Sequence, residues 1–580
     1  RVHEYGGGAY LAQAGRVFVV DDANGGLREI GDLQPPGGRA LVRDSGSSRF
    51  ADLALSPDER WLVAVEECEV EDATEPVNRL VVFDTRQGAA LPRVLDATRD
   101  FVSSPTYSLD GNRLAYLGWA HPHMPWDETS LYVLSVGGDG PVAAPRCVAG
   151  GSGESLFQPT FGPDGRLYFV SDRSGWWNLY SLGDSDDEPR AVCEMAAEFG
   201  APQWGLGMSR YAFIDAERIL CAFERGGISK LGVLDVASGE LRPLALPFSY
   251  FDSLRVDSGV ACFLAASATS PLCIYAYEIA DRRLHLIASS EGRDVEAPAS
   301  QDANGISSPE AIEFHSEGGR EAHAFFSPPR SAEFEGLSGE LPPLLVKSHG
   351  GPTGVARPVF DPGVQFWTSR GFAVVDVNYG GSTSFGRAYR ERLDGNWGIV
   401  DVEDCVGAAR YLASIGLVDA ERMLITGGSA GGYTTLCALT FHDVFRAGAS
   451  HYGIGDIEAL ARDTHKFESR YTDRLVAPYP EARERYRERS PVHFADQLSC
   501  PVIFFQGLDD LVVPPEQARA MVAALAARKV PHAHVEFEGE GHGFRRAENI
   551  QTALEGELYF YSKVLGFGSD VDPAGIRIVE

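Results

Sequence analysis

Long apolar runs are missing from this chain. Nowhere in its 580 residues is there a stretch of about 18 apolar residues, the length a helix needs to cross a bilayer, so no membrane span is expected. No signal-peptide pattern is present either. The chain opens at Arg1, already inside a patterned segment, so further residues are expected to precede it. Positive charge is also short: 51 Lys and Arg stand against 82 Asp and Glu, a net charge of −31. Nucleic-acid partners need basic patches, so that class is set aside. The acid excess reads as a solvated surface that aids solubility. A sharper alternative is an acidic interior that draws in a ligand with a free amine. The nine cysteines are scattered, odd in number and never spaced C-x-x-C. Most sit in apolar runs, as buried thiols of a reduced, cytoplasmic protein would. No metal-ligand spacing stands out.

The length exceeds what one core supports, so two large domains are expected. Residues 1–300 read as all-β. Apolar or alternating runs such as Trp61 to Val65, Arg79 to Asp84, Arg113 to Leu117 and Asn178 to Leu182 are separated by turn residues. A weak repeat overlies them: Leu55-Ser-Pro-Asp, Tyr107-Ser-Leu-Asp-Gly and Phe161-Gly-Pro-Asp-Gly. Each precedes an apolar strand, and the pattern Ser-Pro-Asp-Gly that they share in part makes a tight turn, because Pro presets φ, Asp caps its own turn and Gly supplies positive φ. A repeat of roughly 50 residues fits four-stranded β-propeller blades. Seven are expected, with a pair of β-sandwiches as the alternative. The polar stretch 299–309 reads as the crossing to a second domain over 301–580. There, strands alternate with helix-length segments, as in an α/β fold with a mostly parallel sheet.

Within that second domain the run Met423 to Leu436 contains Gly427-Gly428-Ser429-Ala430-Gly431 between a strand-like and a helix-like segment. This is the G-x-S-x-G nucleophile elbow, in which a sharp strand-to-helix turn lifts one serine out of the sheet. Asp509-Asp510 follows the strand Val502 to Gln506, and His542 follows the strand His534 to Phe537. Ser, Asp and His thus fall at three strand ends in α/β-hydrolase order. A serine hydroxyl needs a base within hydrogen-bond reach, histidine titrates in the right range to be one, and a carboxylate fixes its tautomer. Asp510 is favoured over Asp509 for that carboxylate. Catalysis of acyl transfer also needs an oxyanion hole. The backbone N–H of Ala430 is one expected donor. The other comes from His349-Gly350-Gly351-Pro352, with Gly351 preferred to Gly350.

Taken in order, HGGP, GGSAGG, GLDDLVVPPEQ and GEGHGF on an α/β-hydrolase behind a β-propeller resemble the prolyl oligopeptidase family of serine peptidases, and more narrowly its acylaminoacyl-peptidase and aminopeptidase branch. VHEYGGGAY at the start and HPHMPWDETSLYV at 121–133 resemble propeller segments of that branch. The resemblance implies hydrolysis of short peptides, amides or blocked amino acids in a cavity between the domains, with no cofactor and no metal. It leaves room for a homo-oligomer.

One position departs from the family pattern. Many members carry Arg or Asn two residues after the triad aspartate to hold the carbonyl of the substrate's second residue; here Val512 stands there, or Leu511 if Asp509 is the acid. An enzyme that removes a single N-terminal residue has no such carbonyl to hold, so an aminopeptidase is expected. Acylaminoacyl-peptidase, dipeptidyl-peptidase and carboxylesterase activities on the same triad are the alternatives. An aminopeptidase needs a carboxylate for the α-amine. Candidates are Glu468, in the loop 453–473, and Glu66 with Glu67 at the end of a propeller strand. Tyr452, Phe467, Tyr471 and Val513 are expected around the first side chain.

Overall fold

A computed structural model describes the chain except for residues 22–25, 32–36, 43–45, 72, 291–304, 499, 570, 572, 574–575 and 580. Six four-stranded antiparallel sheets follow one another, over 10–40, 48–96, 101–150, 156–193, 211–243 and 250–289. Neighbouring sheets pack face to face through their strands, the arrangement of a β-propeller. Strand Trp61–Cys68 shows why its sequence is apolar throughout. Leu62 and Ala64 join one inter-blade core and Val63 and Val65 the next, so both faces of the strand are covered. The repeated turns work as their residues dictate: Ser56 Oγ donates to Asp58 (2.5 Å), Ser108 Oγ to Asp110 (2.6 Å), and Arg166 N to Asp164 (3.1 Å). Among the described residues there are six blades, where seven are expected from sequence. A complete blade such as 48–96 consumes roughly 50 residues with its turns, so the β-rich half has room for six.

The expected crossing is only partly visible, since 299–304, including the expected boundary at 300/301, lie outside the described residues. Beyond them is one eight-stranded sheet: β1 (Glu310–His315), β2 (Glu321–Ser327), β3 (Leu344–Ser348), β4 (Ala373–Asn378), β5 (Met423–Gly428), β6 (Ala447–His451), β7 (Val502–Gly507) and β8 (His532–Phe537). Their order is β1-β2-β4-β3-β5-β6-β7-β8. The β1–β2 and β2–β4 pairs are antiparallel, and every later pair is parallel. Helices α1 (Val400–Ser414), α2 (Ala430–Phe441), α3 (Ile457–Asp463), α4 (Tyr471–Leu475), α5 (Glu516–Arg528) and α6 (Ala547–Leu565) accompany it. Successive residues of β7 enter opposite cores, Phe504 on one face and Phe505 on the other. Both rings are fully buried, each worth roughly 1.5–3 kcal/mol. Covered faces explain the uninterrupted apolar run Val502 to Phe505.

The two halves are locked by buried ion pairs. Asp172 of the propeller accepts from Arg390 (2.6 Å) and Arg387 (3.3 Å), and Glu224 pairs with Arg357 (3.4 Å). On another side Lys466 reaches into the propeller, its Nζ 2.7 Å from both Asn78 Oδ1 and the Asp100 carbonyl and 4.7 Å from the Phe101 ring centre.

Candidate active site

Ser429 follows β5 and immediately precedes α2, with φ 56° and ψ −123°. A non-glycine residue pays roughly 1–3 kcal/mol for such backbone geometry, which the flanking turn must impose. The turn is packed so tightly that a Cβ on Gly431 would lie 2.0 Å from the Ser348 carbonyl oxygen of β3. Only glycine lets the start of α2 press against that strand.

His542, in the loop after β8, lies with Nε2 2.9 Å from Ser429 Oγ and Nδ1 2.8 Å from Asp510 Oδ2. Asp510, after β7, is fully buried as a side chain. Its other oxygen accepts from the amides of Val512 and Val513, both at 2.9 Å. Those two bonds fix the carboxylate's rotation and aim Oδ2 at the imidazole. Asp509 makes no such contact; its N–H donates to the Glu540 carbonyl. Tyr452 packs edge-on against His542, ring centres 5.0 Å apart, and buttresses it.

The His349–Pro352 loop lies over the elbow. A Cβ on Gly350 would sit 3.6 Å from Ser429 Cβ. Tyr379 holds the loop from behind, stacking on His349 at 4.2 Å and donating to its carbonyl at 2.9 Å. Gly351 and Ala430 line one pocket together with Ser429. Among the described residues no acceptor takes the N–H of either.

The walls of that pocket include Trp397, Ile454, Leu460, Tyr471, Val512 and Val513. Glu468 also lines it. The Glu468 side chain is 12 % exposed, and its Oε1 accepts from the Tyr5 hydroxyl at 2.6 Å. Burial raises its pKa to about 7, against the pull of the Tyr5 hydrogen bond and of nearby His542, while the neighbouring Glu4 carboxylate pushes it further up. His465 Nε2 is 3.9 Å away, but burial holds that imidazole near 4, so it is neutral at physiological pH. Lys466, next in sequence to the loop's acid, is committed to the propeller.

Tyr5 and Glu4 come from the chain's first residues, which sequence reasoning did not connect with the site. The segment is threaded between blades: Gly7, at φ 93°, bridges to Leu206, and a Cβ there would meet the Leu206 carbonyl oxygen at 2.3 Å. The other expected residues are placed as follows. Glu66 pairs with Arg79 (3.0 Å) and accepts from Ser48 (2.8 Å); Glu67 accepts from the His3 amide, Arg49 and Asn78. Neither lines the pocket. Phe467 does not line it either; it stacks on His3 and packs among Tyr5, Phe101 and Trp204 between the domains. Tyr471 and Val513 do line it, Tyr471 with its hydroxyl 2.5 Å from Thr353 Oγ1. Leu511 is exposed.

A propeller facing an α/β-hydrolase sheet, with serine, histidine and aspartate in hydrogen-bonded sequence at its strand ends, defines a propeller-capped serine hydrolase. The chain belongs to the prolyl oligopeptidase family of serine peptidases, whose family model matches residues 358–568. It is similar to a crystal structure of puromycin hydrolase, 37 % identical over 100 % of this chain and 89 % of that one, with a TM-score of 0.93. A puromycin-hydrolyzing peptidase of Mycobacterium tuberculosis is 38 % identical with the same coverage and a TM-score of 0.92. Dipeptidyl aminopeptidase BIII of Pseudoxanthomonas mexicana is 31 % identical over 44 % of this chain, an alignment spanning 38 % of that enzyme's length. No described helix is long and apolar enough to cross a membrane.

Proposed function

We propose that this protein is a serine aminopeptidase that releases single N-terminal residues from short peptides and aminoacyl amides. Ser429 is the nucleophile, His542 the general base and acid, and Asp510 the carboxylate that holds the imidazole. As Ser429 Oγ bonds to the substrate carbonyl carbon, its proton moves to His542 Nε2, and the carbonyl oxygen becomes an oxyanion facing the N–H groups of Gly351 and Ala430. When the C–N bond breaks, the leaving amine takes that proton. Water then attacks the acyl-enzyme, giving its proton to His542, and the free amino acid leaves as Ser429 is reprotonated. The two chain halves act as domains meeting near 300/301, and the propeller keeps folded proteins from the site.

The observation that carries this reading is Glu468: a largely buried carboxylate in the nucleophile's own pocket whose one close donor among the described residues is a tyrosine hydroxyl. A buried anion needs a partner. With Lys466 turned away and His465 neutral, the substrate's α-ammonium supplies the missing cation, shared with Glu4 and the Tyr5 oxygen. Val512 and Val513 spend their amides on Asp510, and neither side chain can hold a second carbonyl, which speaks against dipeptidyl release. The unpaired state of all nine cysteines supports a cytoplasmic location. The test is a set of chromogenic amides with free aminoacyl, N-acetyl-aminoacyl and dipeptidyl groups, with puromycin added. Preference for free single aminoacyl groups is expected; preference for blocked or dipeptidyl groups contradicts the reading.

A further inference from the structure

At the antiparallel edge of the sheet, β1 and β2 form a hairpin with metal-ligand side chains gathered on one face. Strands β4 and β3 separate it from β5, which leads into Ser429. β2 contains Glu321-Ala322-His323, and residues two apart on a strand share a face. The register sets Glu313 of β1 directly opposite His323. One oxygen from each glutamate and one ring nitrogen of His323 lie within 4.8 Å of one another. Glu321 Oε1 and His323 Nε2 are 3.6 Å apart, too long for a hydrogen bond. A tetrahedral Zn²⁺ with bonds of about 2.0–2.2 Å holds its donor atoms about 3.3–3.6 Å apart, so that pair already has the spacing. Glu313 is exposed and reaches it by a side-chain rotation. Among the described residues neither glutamate has a Lys or Arg partner. Arg320, the preceding residue, pairs with Glu403; Arg392 donates to the Glu321 carbonyl (2.6 Å) and lies over the Tyr389 ring. His323 is already oriented, its ring stacked on Phe385 at 4.4 Å and 12°. A ring held in a fixed plane has little orientation left to lose on binding a metal.

The geometry points to a divalent-metal site of the zinc class at Glu313, Glu321 and His323, with water completing the coordination. One imidazole with two carboxylates suits Zn²⁺, whereas Ca²⁺ and Mg²⁺ seek six or more oxygen ligands. No linear spacing marks the site in the sequence, because its third ligand comes from the facing strand. The site shares no residue with the triad, and its place gives the ion a structural role. It ties β1 to β2 and fixes the imidazole that backs Phe385. The neighbours of Phe385 dock the propeller. Ser384 accepts from the Gly226 amide on its carbonyl (2.9 Å) and from the Gly227 amide on its hydroxyl (2.7 Å), and the Gly386 amide donates to Glu198 (3.1 Å). A bound ion therefore stiffens one side of the domain junction.

The experiment uses the full chain, stripped of metal with a chelator and dialysed. Zn²⁺ is titrated against a colorimetric chelator, and thermal melts are run with Zn²⁺, Ca²⁺ or Mg²⁺ added. One Zn²⁺ per chain is expected to bind at this site, and Glu313→Gln and His323→Phe each weaken that binding by about tenfold or more. Phenylalanine keeps a ring on Phe385, and Glu313 is exposed, so neither change disturbs packing. Zn²⁺ is expected to raise the wild-type Tm, because it binds the folded chain, and to raise it less in both variants. Ca²⁺ and Mg²⁺ are expected to do neither. Absence of Zn²⁺ binding at micromolar concentrations overturns the inference. Undiminished binding in either variant also overturns it, since the ion then sits on other side chains, and so does displacement of Zn²⁺ by equal Ca²⁺ or Mg²⁺. Glu313→Gln decides alone if His323→Phe fails to fold.

Discussion

Replacing Asp510 by Asn tests the geometry around His542 more sharply than removing the side chain. The two carboxylate oxygens have different tasks: Oδ1 receives the amides of Val512 and Val513, and Oδ2 receives His542 Nδ1. An asparagine amide must put its carbonyl oxygen at one position and its NH2 at the other. Two backbone donors at 2.9 Å outweigh one imidazole donor and the long 3.5 Å contact from Gln506 Nε2, so the oxygen stays on the Val512 and Val513 side. The NH2 then faces Nδ1, which must turn into an acceptor, and the ring proton moves to Nε2. In that tautomer Nε2 points a proton at Ser429 Oγ and cannot take one. An Asp-to-Asn change that traps the wrong tautomer lowers kcat by ~10⁴, equivalent to about 5.5 kcal/mol of barrier. The volume is unchanged and the side chain remains bonded to the loop, so the fold persists. Steady-state hydrolysis of an aminoacyl p-nitroanilide, with circular dichroism and a thermal melt as controls, provides the readout. A fall in kcat of less than about tenfold in a well-folded variant refutes the tautomer argument.

Further expectations follow from other contacts. If the proposed amine recognition holds, Glu468→Gln removes the carboxylate that pairs with the substrate's α-ammonium, so kcat/KM on free-amine amides falls by about 30- to 1000-fold, while N-acetyl analogues change little; equal losses on both classes contradict amine recognition. Glu468 binds a cation only when deprotonated, and its pKa is raised to about 7. The ratio of kcat/KM for a free-amine amide to that for an ester lacking the amine therefore rises as pH increases through about 7, falls again as the substrate's α-amine loses its proton at about 7.7–8, and loses the rising limb in Glu468→Gln. A flat ratio in the wild type contradicts it. Lys466→Met removes the tether that holds the Glu468 loop against blades two and three, and KM is expected to increase roughly tenfold with kcat less affected; an unchanged KM counts against a positioning role. Gly431→Ala forces a Cβ to 2.0 Å from the Ser348 carbonyl oxygen. It is expected to lose about 1–3 kcal/mol or more in urea unfolding, and a wild-type midpoint contradicts the packing account.

How much of this could be read from the chain depends on how local each signal is. The Ser-Pro-Asp turns and the elbow carry their geometry in neighbouring residues, and the triad order follows once strands are assigned around Ser429, Asp510 and His542. The antiparallel edge β1–β2 is less legible. Its strands alternate apolar with exposed charged residues, as in Glu310–His315, and resemble the propeller strands before them. Choosing among Glu66, Glu67 and Glu468 depends on partners far away in sequence. Arg79 and Arg49 hold the first two, whereas Glu468 meets Tyr5, 463 positions distant. Phe467 and Tyr471 lie four positions apart, just before and at the start of α4, yet the first enters the aromatic packing between domains and the second the pocket. Nothing in the local sequence separates those outcomes. Trp397 sits in an irregular loop before α1, with no periodicity to mark it as a pocket wall.

The account depends most on a covalent bond forming at one oxygen. The direct measurement is peptide mapping by mass spectrometry after exposure to a fluorophosphonate. A single phosphonyl adduct on Ser429, absent from Ser429→Ala and greatly slowed in His542→Ala, is the predicted result. An unlabelled Ser429 in active protein, or an adduct on another residue that abolishes turnover, contradicts it.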